Sequence, residues 1–213
     1  MNAELIVGLL DSGIEAALAA HLSASRAFVD QAAPHSLGHG TAIARIILRH
    51  APHAPLLHAQ VFGERQPTTP SWSPPAWTGC VREGARVVNM SFGLRHDRAV
   101  LRHAVAAAQA AGMSLVASVP ARGAIVYPGG YAGVIRVSGD ARCAPGEISA
   151  LGGDPADYGA CPQDMGGRLG GASFAAAAHV TGLLASQLSK TSCEPRVLLD
   201  RLARFHGRER RLA

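Results

Sequence analysis

Asp11 in "VGLLDSG", His39 in "LGHGTAIARII" and Ser173 in "GGASFAAAAHVTG" are an acid, an imidazole and a hydroxyl, each close to glycine at the edge of an apolar run. Together they are the parts of an activated-serine hydrolase. A serine hydroxyl is a weak nucleophile at its own pKa, so an imidazole must take its proton during attack and return it to the leaving group. A carboxylate then holds the imidazole in the useful tautomer and stabilises its charged form. Each block has the local form its role needs: Asp11 ends a buried-strand pattern, and His39 and Ser173 stand where helical patterns begin. The small neighbours Gly171 and Ala172 leave room for a substrate carbonyl. A helix start at Ser173 adds a positive dipole end and a free backbone N–H for a developing oxyanion.

The elements that must bring these groups together alternate along the chain. Strand-like runs at Leu5–Leu10, Pro55–Phe62, Arg86–Met90, Ser114–Val119 and Gly133–Ser138 are interleaved with helical patterns near His39–His50, Pro74–Gly84, Asp97–Gly112 and Ser173–Lys190. Such alternation predicts a three-layer α/β fold, a mainly parallel sheet with helices on both faces. Active groups in that architecture gather beyond the carboxyl ends of the strands. The stretch from Gly63 to Trp77, rich in proline and short polar residues, reads as a surface loop. His50, His53 and His58 fall in "RHAPHAPLLHA", a proline-broken connection that reads as a solvated turn.

Composition fits one such domain over residues 1–213. With 48% apolar residues the chain can bury a large core, and with only 5% aromatics that core must be built from alanine, valine and leucine. Cys80, Cys143, Cys161 and Cys193 lack metal-ligand spacing and read as reduced thiols. No secretion-signal pattern, membrane-span pattern or acidic calcium loop is present, so the expectation is a cytoplasmic protein with no metal and no cofactor. The net charge of +5 and the basic segment 191–213, expected to be a C-terminal helix or tail, suit an acidic peptide or protein partner. No nucleic-acid-binding motif accompanies that charge.

The three blocks, in the order Asp, His, Ser, resemble those of the subtilisin-like serine peptidases, the subtilases. That family's Asp-Ser/Thr-Gly, His-Gly-Thr and Gly-Thr-Ser-x-Ala blocks correspond to "DSG", "HGT" and "GASFA" here, and its Asn-x-Ser-x-Gly block to "NMSFG" at Asn89–Gly93. The later "YPGGY" and "YGACP" segments follow in the family's order, so the likeness runs from about Leu5 to Leu188. It implies a serine endopeptidase with Asp11, His39 and Ser173 as its triad. It further implies that Ser91, Phe92 and Gly93 form the edge along which an extended peptide lies and help shape the pocket for the residue before the cut, while Asn89 braces neighbouring loops.

Three features depart from the family. Subtilases carry an Asn whose side chain donates to the oxyanion in "AAGNxG", whereas "VASVPARG" places Ala121 there, leaving the Ser173 backbone and either Ser118 or Arg122 as donors. Loss of that Asn lowers turnover by about 100- to 1,000-fold in subtilisin itself, so a slow and selective enzyme is expected. The Ser173 block has alanine in place of the family's threonine and proline, at Ala172 and near Ala178. It also holds one residue more than the family's, which predicts a helix distortion that shifts His179. Missing signal, pro-segment and calcium loops make the chain similar to subtilases that remove leader segments from modified peptides. The implied partners are then a leader-bearing small subunit and its modifying enzyme. The alternative is a catalytically weak or silent subtilase-fold protein that binds or escorts a peptide.

Overall fold

A computed structural model describes residues 5–29, 38–63, 79–163 and 171–208. The strands are β1 (Val7–Asp11), β2 (Leu22–Ala27), β3 (Leu56–Gln60), β4 (Val87–Met90), β5 (Ser114–Ser118), β6 (Ile135–Gly139), β7 (Ile148–Ala150), β8 (Tyr158–Ala160) and β9 (Ala203–His206). The helices are α1 (His39–His50), α2 (Ala99–Ala110), α3 (Ala172–Leu188) and α4 (Pro195–Leu202), and Ala16–His21 forms a 3-10 turn. Residues 79–82 are helical too. Glu83 and Gly84 form a turn, while residues 74–78 of that expected helix, and residues 64–77 of the expected Gly63–Trp77 loop, lie outside the described residues.

Among the described residues all nine strands join one sheet in the order β2-β3-β1-β4-β5-β6-β8-β7-β9. Every pairing is parallel except β7 with β8. The central strands are apolar on both faces because both faces are covered, as a parallel sheet requires. On one face Val7, Leu9, Val87, Val116 and Val137 pack with Ile43, Ile46 and Ile47 of α1 and with α3 and Leu199 of α4. On the other, Leu10, Val88, Met90 and Leu115 meet Leu101, Val105 and Ala108 of α2 and Cys80. This is the expected three-layer arrangement. Ala175–Ala178 are all fully buried, so the first turns of α3 lie close against the sheet with almost no side chain between. The described cysteines are all free thiols, and burial pushes that of Cys80 up to about 11.

Chain order reverses at β1, with β3 on one side and β4 on the other. A crevice opens beyond the carboxyl ends of the strands at such a point, and Asp11 is the last residue of β1.

The structure corrects several expectations. The basic C-terminal segment forms a helix over Pro195–Leu202 as expected, but its described part does not end there: β9 extends the sheet beside β7. The Gly207 N–H donates to the Ala150 carbonyl, Arg142 donates to the Gly207 carbonyl at 2.8 Å, and Arg208 donates to the carbonyls of Ala121 and Asp154. The helix α3 is uninterrupted, so no distortion absorbs the additional residue after Ser173. His58 and His50 do not belong to a solvated turn. His58 is buried in β3, and only His53 of the three is exposed.

His50 ends α1 and meets the buried His179 of α3. His179 Nε2 donates to the Gln163 carbonyl, at 3.4 Å, leaving its Nδ1 to accept from His50 Nε2 at 2.7 Å. Both rings are neutral in this arrangement. Burial first, then the mutual disfavouring of charge within the His50–His179 pair and the nearby Arg49, push His50 down to about 4, and burial lowers His179 as well. The unfolded chain binds protons at these rings from about 6.5 downward, while the folded pair resists protonation. Unfolding therefore takes up protons in that window, and stability falls as pH drops from 6.5 toward 4. The melting temperature, followed across this range, is expected to decline, and to decline less steeply in His50→Gln. An equal slope in that variant would show that the pair does not contribute.

Candidate active site

The end of β1 and the start of α1 are locked together by short polar contacts. His39 Nδ1 lies 2.7 Å from Asp11 Oδ1, with Asp11 only 1% exposed. The same oxygen accepts from the Ser12 N–H at 2.7 Å and from the Ser12 hydroxyl at 3.3 Å. Ser12 Oγ in turn accepts from the Gly40 N–H at 3.0 Å, so one hydroxyl ties the acid's loop to the first turn of the histidine's helix. Only glycine fits there, since a Cβ at residue 40 would lie 2.4 Å from the Ser12 carbonyl oxygen.

With Nδ1 donating to Asp11, the neutral His39 ring has Nε2 free to accept a proton. Burial opposes charge on this ring, but the Asp11 charge and hydrogen bond outweigh it, and its pKa is raised above 6.5. Asp11 thus favours the imidazolium that a proton-accepting histidine must become.

Ser173 sits half-buried in the first turn of α3. Phe174, the next residue, sets the edge of its ring against the His39 imidazole with centroids 5.1 Å apart, which brings the serine's turn to the histidine. The partner that Ser173 Oγ meets within hydrogen-bond distance is Ser138 Oγ, at 3.4 Å. Helix geometry leaves the Ala172 and Ser173 N–H groups without intrahelical partners at the positive end of the dipole.

The expected peptide-binding edge directly follows β4. Ser91 and Phe92 are buried at 3% and 6% exposure, so among these three residues only Gly93 presents an open surface. Ser91 Oγ accepts from Asn89 Nδ2 at 2.9 Å and donates to the Phe174 carbonyl at 3.2 Å, while Thr181 donates to Asn89 Oδ1 at 2.9 Å. Asn89 therefore braces the helix that carries Ser173. Phe92 packs edge-on against Phe62. A peptide on this edge would meet backbone.

Ala121, at the position of the family's oxyanion Asn, is exposed and offers no side-chain donor. Arg122 is also exposed. Ser118, at the end of β5, is 2% exposed, and its hydroxyl has no hydrogen-bond partner among the described residues. No group of metal-ligating side chains occurs among the described residues, and no described helix is long and apolar enough to cross a membrane.

Comparison with known proteins identifies the family and the fold. Residues 2–151 match the Subtilase family model, Peptidase_S8. The fold is similar to a solved mutant structure of the protease domain of PatA, with a TM-score of 0.68 at 21% identity over 96% of this chain and 92% of that one. No curated protein matches by sequence.

One residue of the site escaped sequence reasoning as a functional group. His58 Nε2 donates to the Ser12 carbonyl at 2.9 Å, and its Nδ1 accepts from Ser25 at 2.9 Å, so a neutral buried imidazole supports the Asp11–Ser12 corner from below. Its signal was a histidine inside the apolar strand run "LLHA", where burial demands hydrogen-bond partners. His58→Leu leaves the Ser12 carbonyl without its donor and is expected to lower stability by about 1–3 kcal/mol, as measured by denaturant unfolding. A change below about 0.5 kcal/mol would deny His58 this bracing role.

Proposed function

Since the chain belongs to the subtilase family, and is thus a serine endopeptidase, we propose that Ser173 is its nucleophile, His39 its general base and acid, and Asp11 the orienting carboxylate. The observation that carries this reading is the 2.7 Å contact of His39 Nδ1 with Asp11, beside the helix turn that bears Ser173. In the reaction, Ser173 Oγ gives its proton to His39 Nε2 as it bonds to the substrate carbonyl carbon. The carbonyl π electrons move to oxygen, where the N–H groups opening α3 stabilise the charge. The imidazolium then protonates the leaving amine, the C–N bond breaks, and water repeats the sequence on the acyl-serine to release the acid and restore Ser173. Attack requires the Ser173 hydroxyl to leave Ser138 for His39.

The substrate of this reading is a leader segment on a small peptide or protein subunit inside the cell, removed at one specific bond. Fold similarity to the protease domain of PatA supports a protease, and Ala121 in the oxyanion loop favours slow, selective cleavage over general digestion. Among subtilases the chain also resembles the leader-processing protease of quinohemoprotein amine dehydrogenase maturation. That exposed loop without a donor also motivates the second reading, a weak or silent peptide escort.

A fluorophosphonate probe separates the two. Labelling is expected at Ser173, absent in Ser173→Ala and strongly reduced in His39→Ala; failure of the wild-type protein to label, with a candidate leader peptide present, favours the escort. Asp11→Asn is expected to lower turnover about 10,000-fold. Because activity needs neutral His39 and its pKa is raised, kcat/KM should fall on the acid side with a midpoint above 6.5. A midpoint below that value would remove Asp11 from its assigned role.

A further inference from the structure

We propose that Arg95, Arg98 and Arg122 form a docking surface for an acidic segment of the substrate, flanking the bond to be cut. The inference rests on the reading above, in which a peptide lies along Ser91–Gly93, and it names that peptide's chemistry. The charge of this chain is unevenly placed. Residues 84–139 run from β4 through that edge, α2 and β5 to β6, and hold six arginines against a single carboxylate, Asp97. The rest of the chain keeps 14 of the 20 Lys and Arg and 14 of the 15 Asp and Glu, so the whole net charge of +5 equals the excess of this one stretch.

The single acid does not neutralise the site. Tyr131 donates to Asp97 Oδ1 at 2.7 Å, and Arg102 pairs with its other oxygen. Arg136 pairs with Asp157 at 2.6 Å, and Arg86 precedes β4, at the opposite end of the sheet from Asp11. Arg95, Arg98 and Arg122 remain, exposed and without an ion pair among the described residues. The backbone gathers them beside the edge: Arg95 and Arg98 follow Gly93 directly, and Leu94 exchanges N–H to carbonyl bonds with Tyr127 at 2.7 and 2.8 Å, which ties the segment after Arg122 to theirs. An extended peptide advances about 3.3 Å per residue, so a carboxylate a few positions from the cut comes within reach of these guanidinium groups. Arginine meets a carboxylate with two parallel N–H donors, and a patch of one sign beside a cleft raises the rate of encounter with an oppositely charged substrate. Nucleic acid brings the same charge, but this stretch exposes no ring for a base to stack on: Phe92 is buried, and Tyr127 and Tyr131 are partly buried with centroids 5.0 Å apart. The basic C-terminal segment offers less free charge, because Arg196 and Arg204 pair with Asp157 and Glu147 and Arg208 donates to carbonyls.

The test follows, by fluorescence anisotropy, the binding of full-length protein to two labelled peptides, one rich in glutamate and one with glutamine in its place, at low and high salt. The glutamate peptide should bind at least about tenfold tighter at low salt, and high salt should erase the difference. Arg95→Gln, Arg98→Gln and Arg122→Gln combined should weaken its binding by at least about tenfold. Arg82→Gln, Lys190→Gln and Arg201→Gln combined, which lower the net charge equally at exposed positions elsewhere, should leave it unchanged. Thermal melting checks that both variants fold. Equal binding of the two peptides overturns the proposal, as does equal loss in the two variants; tighter binding of single-stranded DNA through the same three arginines assigns the surface to nucleic acid and overturns it as well. Labelling of Ser173 by the fluorophosphonate probe should slow when the glutamate peptide is bound, and an undiminished rate places the peptide away from the cleft and contradicts the proposal. If Ser173 never labels while the three arginines still hold the glutamate peptide, the catalytic reading fails and the surface stands as that of a peptide escort.

Discussion

The hydrogen bond between the Asp11 carboxylate and His39 Nδ1 joins the end of the central strand to the start of the first long helix, and both the local fold and the proposed chemistry depend on it. A carboxylate this deeply buried is costly unless its charge is met by donors. Here three donors, the Ser12 backbone N–H, the Ser12 hydroxyl and the imidazole, converge on Oδ1, while Oδ2 is buried without a hydrogen-bond partner among the described residues; the same Ser12 hydroxyl receives the Gly40 N–H. The contacts on Oδ1 therefore also fix the tautomer of His39. Stability and reactivity share the same few atoms, with His58 beneath them as a neutral prop.

Ser173 reaches this corner through the packing of α3. Four consecutive buried alanines let the helix settle against the sheet, and the chain of contacts from Thr181 through Asn89 and Ser91 to the Phe174 carbonyl sets its rotation and height. Phe174 then touches the His39 ring. Polar residues in the core do here what bulky apolar ones cannot, because a hydrogen bond specifies position as well as proximity. The resting Ser173 hydroxyl lies toward Ser138, consistent with catalytic contacts that tighten only when substrate is bound.

Much of this was legible in the sequence where periodicity and burial agree. The pattern of His39–His50 gave the helix at its observed bounds, and the apolar runs around Val7, Val87 and Ser114 gave central strands of a parallel sheet. The edge strands were not legible. In "ARFH" only alternate residues are partly covered, and in "LSASRA" nearly all are exposed, so neither carries the apolar run that marks a buried strand; their pairing is decided by neighbours distant in sequence. The strand after the C-terminal helix was hidden for the same reason, since its Arg204 and the following Arg208 find a carboxylate and carbonyls that no local pattern reveals. For the site, the acid, ring and hydroxyl were marked by their glycine neighbours, whereas the props His58 and Ser138 were not, because each acts through a partner brought near only by the fold.

A crystal structure of the protein with a peptide boronate tests the central claim most directly. The account predicts a bond from Ser173 Oγ to boron, His39 Nε2 within hydrogen-bond distance of the adduct, and Nδ1 still held by Asp11. Boron bound elsewhere, or a His39 ring turned from Asp11 while Ser173 is occupied, would contradict it.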